Sequence, residues 1–223
     1  MKFTYSDIVR NDFPDLVSCC VSVDGVSPSG SVSAWVAHYS DIAAERLLSA
    51  TEGAFPEIQA WRRTFSQMGL KPTQYRCASE ALLRRFRTAG LLPAIHPLVD
   101  LCNAISIAFA IPIAVFDREK ISGDLEVRHA VGDEVYETFS GEIEHPEAGE
   151  VIFADSSGRA HARRWVNRQS GYSSVNQRTT QAFIVSEALH GEAGEDIPRL
   201  LTAVTRTAAE TWPTARIVQE ATR

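Results

Sequence analysis

Hydrophobic and polar positions change period along the chain, and the changes divide it into elements. Residues 16–26 (LVSCCVSVDGV) are rich in Val, Ser and Cys and predict a strand ending at Asp24-Gly25. Residues 31–39 read as a second extended segment or as the approach to a helix. Ser40 then caps a helix over 41–50 with Ile42, Leu47 and Leu48 on one side. Phe55-Pro56 opens a helix over 57–68 that Gly69 closes, and 79–88 is helical with Leu82, Leu83 and Phe86 inward and Gly90 as its stop. The clearest amphipathic run begins at Pro97. Leu98, Leu101, Cys102, Ile105, Ala108 and Phe109 recur at spacings of three and four, and Asp100, Asn103 and Ser106 form a polar stripe on the flank. Beyond Pro112 strands are predicted over 113–116, 125–130, 135–139 and 150–154, with turns at Ser122-Gly123, Gly132-Asp133 and 155–158. Residues 181–185 make a late buried strand, and 198–212 a last helix with Leu201, Val204 and Ala208 inward. Helices first, then strands, then a helix is an α+β order and not a repeating βαβ one.

The 223 residues suit a single domain over 1–223, and 44% hydrophobic content is enough for a real core. No apolar run reaches the roughly 18 residues of a membrane span. Asp7, Arg10, Asn11 and Asp12 break up the N-terminal apolar residues, so a secretory signal is not expected and the expected location is cytoplasmic. Cys19, Cys20, Cys77 and Cys102 form no C-x-x-C pair, which favours reduced thiols over a zinc ribbon or a disulfide scaffold.

Charge matters more by position than in total. The net charge of −6 argues against a phosphate-coating role. Yet residues 62–87 hold seven basic side chains and one acid, a window of +6 that leaves −12 for the rest of the chain. A second cluster, Arg159, Arg163, Arg164, Arg168 and Arg178, surrounds Trp165; arginines beside an aromatic suit phosphate contact with stacking on a base, or equally a solvated, carboxylate-paired surface. The six histidines form no H-x-x-x-H pair or His-carboxylate spacing, so neither metal nor cofactor is expected. G-x-S-x-G, Walker and Rossmann motifs are absent, and Cys102, on an apolar helix face, reads as core and not as a nucleophile.

Several motifs in order carry a resemblance. VDLCNAISIAFAIPIAVFD (99–117), Arg128-His129-Ala130 with Gly132-Asp133-Glu134, GEVIFAD (149–155) and SSVNQRT (173–179) resemble successive elements of the editing domain, the B3/B4 module, of the bacterial phenylalanyl-tRNA synthetase beta subunit. The likeness runs over about 75–189 and includes no synthetase catalytic core. It implies a three-layer α+β fold with an unusual β-sandwich flanked by helices. It also implies a pocket that accepts the aminoacyl end of a mischarged tRNA and hydrolyses the ester by placing water, with positioning and oriented donors supplying much of the rate.

Departures from the family pattern are equally informative. The His of its P-x-H-x-F-D stretch is Ala114 here, and its glycine-rich loop becomes RRWVNRQSG (163–171), with one Gly. Its strand glutamate, implicated in reading a tyrosine hydroxyl, falls near Val185 or Ser186; the nearest carboxylate, Glu187, is one or two positions out of register and is expected to face elsewhere. A different, smaller or non-aromatic amino acid is therefore expected.

Carried over residue by residue, the resemblance implies substrate contacts from Asn103, Pro112, Ala114, Arg128, Glu134, Arg164, Trp165, Asn167 and Thr179, with Trp165, Arg164 and Asn167 foremost. Arg84, Arg85, Arg163 and Arg168 are the candidate RNA contacts, and no catalytic group can be named. The expected function is a free-standing aminoacyl-tRNA editing hydrolase. The alternatives are a non-catalytic tRNA- or RNA-binding module and an amino-acid-binding pocket protein.

Overall fold

A computed structural model describes residues 1–221. In chain order the elements are β1 (Phe3–Tyr5), α1 (Asp7–Asp12), β2 (Val17–Asp24), α2 (Ser33–Ser49), α3 (Pro56–Gln67), α4 (Ala78–Ala89), α5 (Pro97–Phe109), β3 (Ile113–Asp117), β4 (Leu125–His129), β5 (Tyr136–Glu137), β6 (Ile143–Glu144), β7 (Val151–Asp155), β8 (Ala160–Arg163), β9 (Arg168–Gln169), β10 (Gln181–Ala188), α6 (Ala193–Thr211) and β11 (Arg216–Glu220). None of the helices is long and apolar enough to cross a membrane.

The strands form a five-stranded sheet ordered β1-β4-β7-β8-β9, a four-stranded sheet ordered β11-β2-β10-β3, and the hairpin β5-β6. Pleating explains how the layers stack. Along β10, Ala182, Ile184 and Ala188 face a core shared with α2, α5 and α6, whereas Phe183 and Val185 face the other sheet. Phe3 meets Phe183 at 5.8 Å and Phe116 meets Phe153 at 5.7 Å, so the two sheets close as a sandwich on aromatic side chains. Helices, four-stranded sheet and five-stranded sheet make three layers, the α+β arrangement expected.

The longer periodic helices follow the sequence closely. The α5 stripe is buried through Leu98, Leu101, Cys102 and Ile105, with His96 capping the helix through its ring nitrogen. Gly90 stops α4 in the left-handed conformation, at φ 75°.

Three expectations need correction. Residues 33–39 are helical, and Ser40 lies inside α2 and caps nothing. Trp35, Val36, Tyr39, Ile42 and Ala43 already stand at helical spacing and pack inward, while Leu48, expected on that side, is exposed. The last helix begins five residues earlier than expected, at Ala193, with Glu195 and Asp196 in its first turn, so Ile197 and Leu200 supply buried positions upstream of Val204. Ser106, placed on the polar stripe of α5, is fully buried and donates to the Ile111 carbonyl at 2.7 Å.

Candidate functional site

A cavity of about 60 Å³ opens where the start of β3 meets β7, β10 and the loop between β8 and β9. Pro112, Ala114, Phe153, Trp165, Val185 and Glu187 form its walls, and Val166, Asn167, Arg168 and Gln169 form its rim. A wider groove of about 650 Å³ lies between the start of α2 and residues 90–94, but none of the predicted substrate contacts lines it. The small cavity is the place where Pro112, Ala114, Trp165 and Asn167, drawn from two distant stretches of sequence, converge.

The β8–β9 loop is built under strain. Arg164 and Trp165 take positive φ of 46° and 59°, a conformation costing about 1–2 kcal/mol for each residue with a Cβ. They stand in the stretch where the family pattern carries its glycine-rich loop. Specific bonds hold the geometry: the Trp165 amide donates to the Val151 carbonyl at 2.7 Å and the Arg164 amide to Glu150 Oε1 at 2.9 Å. Asn167 Nδ2 donates to the Arg76 carbonyl at 2.7 Å, tying the rim to the segment before α4. Tandem left-handed residues send adjacent side chains in different directions, so Arg164 lies over Tyr75 while Trp165 turns inward.

Trp165 is fully buried, edge-on to Phe13 and Trp61 with centroids 4.9 and 5.2 Å away. This corrects the picture of an arginine-flanked aromatic offered to a free base: Trp165 is a cavity wall. Its Nε1 donates to Glu187 Oε1 at 2.8 Å, and the Tyr5 hydroxyl donates to the same oxygen at 2.8 Å. Glu187 faces the cavity, contrary to expectation, because it shares strand parity with Val185, which stands opposite Ala114 on β3. Burial pushes its carboxyl up to about 7, against the pull of the two hydrogen bonds. Tyr5 was invisible to sequence reasoning, lying in a three-residue strand 182 positions away.

Other expected contacts lie elsewhere. Arg128 pairs with Glu134, which also accepts from the Val131 and Gly132 amides at 3.0 Å each; the pair buttresses a turn and lines no part of the cavity. Thr179 donates to Asp117 Oδ2 at 2.8 Å inside the protein, and Asn103 is half-buried on α5 away from the cavity. Arg163 is buried and bound to Glu150 and Glu144, which removes it from an RNA-facing role. Arg168 sits at the rim and pairs with Glu144 at 3.1 Å, while Arg84 and Arg85 are exposed and make no ion pair among the described residues.

Two clusters escaped the sequence because their members come from different elements. His161 bridges Ser173 Oγ at 2.8 Å and Asp155 Oδ2 at 3.2 Å. Burial alone would raise Asp155, but hydrogen bonds from His161, Ser122, Ser157 and Arg159 hold it well below the usual carboxylate range. All three residues are buried, so this chain of hydrogen bonds serves as a strut between β7, β8 and the 170–176 loop and not as a nucleophile relay. Glu57, His190 and Asp196 bring one donor atom each within 4.8 Å, a His-carboxylate grouping that spacing did not show. Arg46 binds both Glu57 oxygens and Arg199 binds Asp196, so their cationic groups already hold these carboxylates.

Fold and site together define an α+β domain with a small apolar cavity at the seam of a β-sandwich and one buried carboxyl in its wall. The chain belongs to the B3/4 domain family, which matches residues 60–206. It is 33% identical over 100 residues to a phenylalanine–tRNA ligase beta subunit of Bartonella quintana (strain Toulouse), covering 44% of this chain and 11% of that protein. It is 30% identical over 113 residues to the same subunit of Nitrobacter winogradskyi, covering 51% of this chain and 13% of that one. The chain thus matches only a small part of these relatives. The crystal structure of an N-terminal fragment of the phenylalanyl-tRNA synthetase beta subunit from Pyrococcus horikoshii shares the fold, with TM-score 0.55 at 12% identity, over 100% of this chain and 52% of the fragment.

Proposed function

We propose that the protein is a trans-acting aminoacyl-tRNA editing hydrolase. The cavity between Pro112, Ala114, Trp165 and Glu187 seats the amino-acid side chain, and the ester stands at the rim formed by residues 166–169. Water adds to the ester carbonyl carbon, the acyl C–O bond breaks, and the free amino acid and the ribose hydroxyl of the tRNA leave. The chain contributes chiefly placement: a strained loop held by fixed hydrogen bonds keeps the seat preorganised, so the reacting atoms lose little freedom at the transition state.

The observation that carries this reading is the convergence of Pro112, Ala114, Trp165 and Asn167 on one cavity in a B3/4 domain. Exposed Arg84 and Arg85, with Arg168 at the rim, offer phosphate contacts on an otherwise acidic surface. The test is a deacylation panel over mismatched aminoacyl-tRNAs with the parent and Ala114→Leu, whose larger side chain fills the seat. Turnover of at least one substrate by the parent, lost in the variant, supports the proposal; no turnover above buffer across the panel refutes it.

A second reading is a non-catalytic tRNA-binding module, favoured by Ala114 standing where the resembling family carries a histidine. Salt-sensitive tRNA binding without turnover selects it.

A further inference from the structure

We propose that the guanidinium of Arg164 binds a backbone phosphate in the unpaired 3′ end of the tRNA, in a second cleft behind the Trp165 wall. This rests on the small cavity being the seat of the aminoacyl group. The cleft holds about 240 Å³ and lies between the segment after α3 and the turn before β7. Met68, Leu70 and Tyr75 line one side, Glu147 and Glu150 the other, and Arg164 reaches it from the β8–β9 loop. Adjacent residues thus line neighbouring hollows, Arg164 this cleft and Trp165 the small cavity, because their left-handed backbone sends the side chains apart.

Backbone strain singles out Arg164. At Trp165 the positive φ places an indole that is fully buried and bonded to Glu187, and that packing offsets it. At Arg164 no comparable contact does. Its guanidinium lies 4.8 Å over the Tyr75 ring and, among the described residues, makes no ion pair and no hydrogen bond. Arg163 and Arg168 on the same loop are both held by carboxylates. Glycine would take the Arg164 conformation freely, so a strained and unpaired cation there points to a ligand. Tyr75 covers one face of the guanidinium and leaves its in-plane N–H groups open, the fork that matches phosphate oxygens. Glu150 opposes such an anion little, since Arg163 binds both its oxygens. Glu147 is exposed across the cleft, an acceptor suited to a ribose 2′-hydroxyl. At roughly 10–15 Å³ for each water-sized volume the cleft has room for roughly 20 non-hydrogen atoms, the size of one nucleotide.

The test measures binding of four probes to the parent, Arg164→Gly and Arg164→Lys: deacylated tRNA, the same tRNA with its unpaired 3′ nucleotides removed, AMP and inorganic phosphate. Arg164→Gly relieves the left-handed strain, so its melting temperature is expected at or above that of the parent. Its affinity for intact tRNA is expected to fall at least about 10-fold, and its slope of log affinity against log salt to drop by about 0.7. Trimmed tRNA is expected to bind this variant and the parent alike. Arg164→Lys, a point charge without the fork, is expected to fall between the two for intact tRNA. Unchanged affinity of Arg164→Gly for intact tRNA overturns this inference and leaves the hydrolase reading standing. An equal loss with trimmed tRNA does the same, because it places the contact on the body of the molecule. AMP or inorganic phosphate binding the parent as tightly as intact tRNA overturns the RNA assignment in favour of a free phosphate ligand. A parent that binds neither tRNA overturns both readings.

Discussion

Glu187 supplies a measurable signature that is independent of any substrate. Burial raises its carboxyl from the usual 4.5 to about 7 in the folded protein. Between those values the folded state keeps a proton that the unfolded chain has released, so stability must fall as pH rises through the interval. Each pH unit of such a difference is worth about 1.4 kcal/mol, which sums to about 3 kcal/mol. That contribution is fully present below about pH 4.5 and gone above about pH 7. The neighbouring groups do not blur it: burial holds Tyr5 well above its usual value and pushes Cys19 and Cys20 up to about 12, so all three stay neutral throughout. Denaturant unfolding of the parent and Glu187→Gln from pH 4.5 to 8 isolates the effect as a difference between two curves, since other titrating groups cancel. Glu187→Gln should gain about 3 kcal/mol relative to the parent across that range. A difference that stays flat, or that moves the other way, would refute the claim that the carboxyl is held in an apolar wall.

Other consequences follow from the same contacts. Arg84→Glu and Arg85→Glu should each weaken tRNA binding and lower the slope of log affinity against log salt by about 0.7–0.9 per lost phosphate contact, with no change in melting temperature; unchanged slopes would remove this face from the interface. Arg163→Ala should instead destabilise the fold by about 3–5 kcal/mol in chemical denaturation, because Glu150, nearly as buried, loses its partner. Asp155→Asn removes a carboxylate whose folded-state affinity for protons is depressed, so the parent should lose stability more steeply than the variant as pH falls below about 4; parallel acid curves would contradict the strut.

What the sequence made legible depended on how burial was patterned. The helices α3, α4 and α5 bury apolar side chains at three and four spacing, so the period announces them. Strand β8 (Ala160–Arg163) buries His161 and Arg163 beside two alanines, and buried polar residues disguise a strand as a loop. The short edge strands β1 and β9 carry too few residues for any period to emerge, and β11 has five residues but none that is buried to mark a face. Motif order singled out Pro112, Ala114, Trp165 and Asn167, which the fold brings to one cavity, but not their packing: Trp165 reads as a stacking platform until its indole is seen closed in by Phe13 and Trp61. Strand parity with Val185 was an available signal that Glu187 faces inward, whereas its bond to Tyr5 joins ends of the chain that no local pattern connects. Arg128, Glu134, Thr179 and Asp117, which stand in the resembling motifs, make contacts that tie turns and loops together, a role that a motif does not distinguish from contact with substrate.

The central claim is that the cavity seats the aminoacyl group of a tRNA ester and promotes its hydrolysis. Single-turnover deacylation of a panel of mismatched aminoacyl-tRNAs, with parent and Ala114→Leu at matched protein concentration, tests it most directly. The account predicts release of at least one amino acid by the parent well above the buffer rate, and a return to the buffer rate when residue 114 fills the cavity. Parent rates equal to buffer for every substrate, or full activity with the cavity filled, would contradict it.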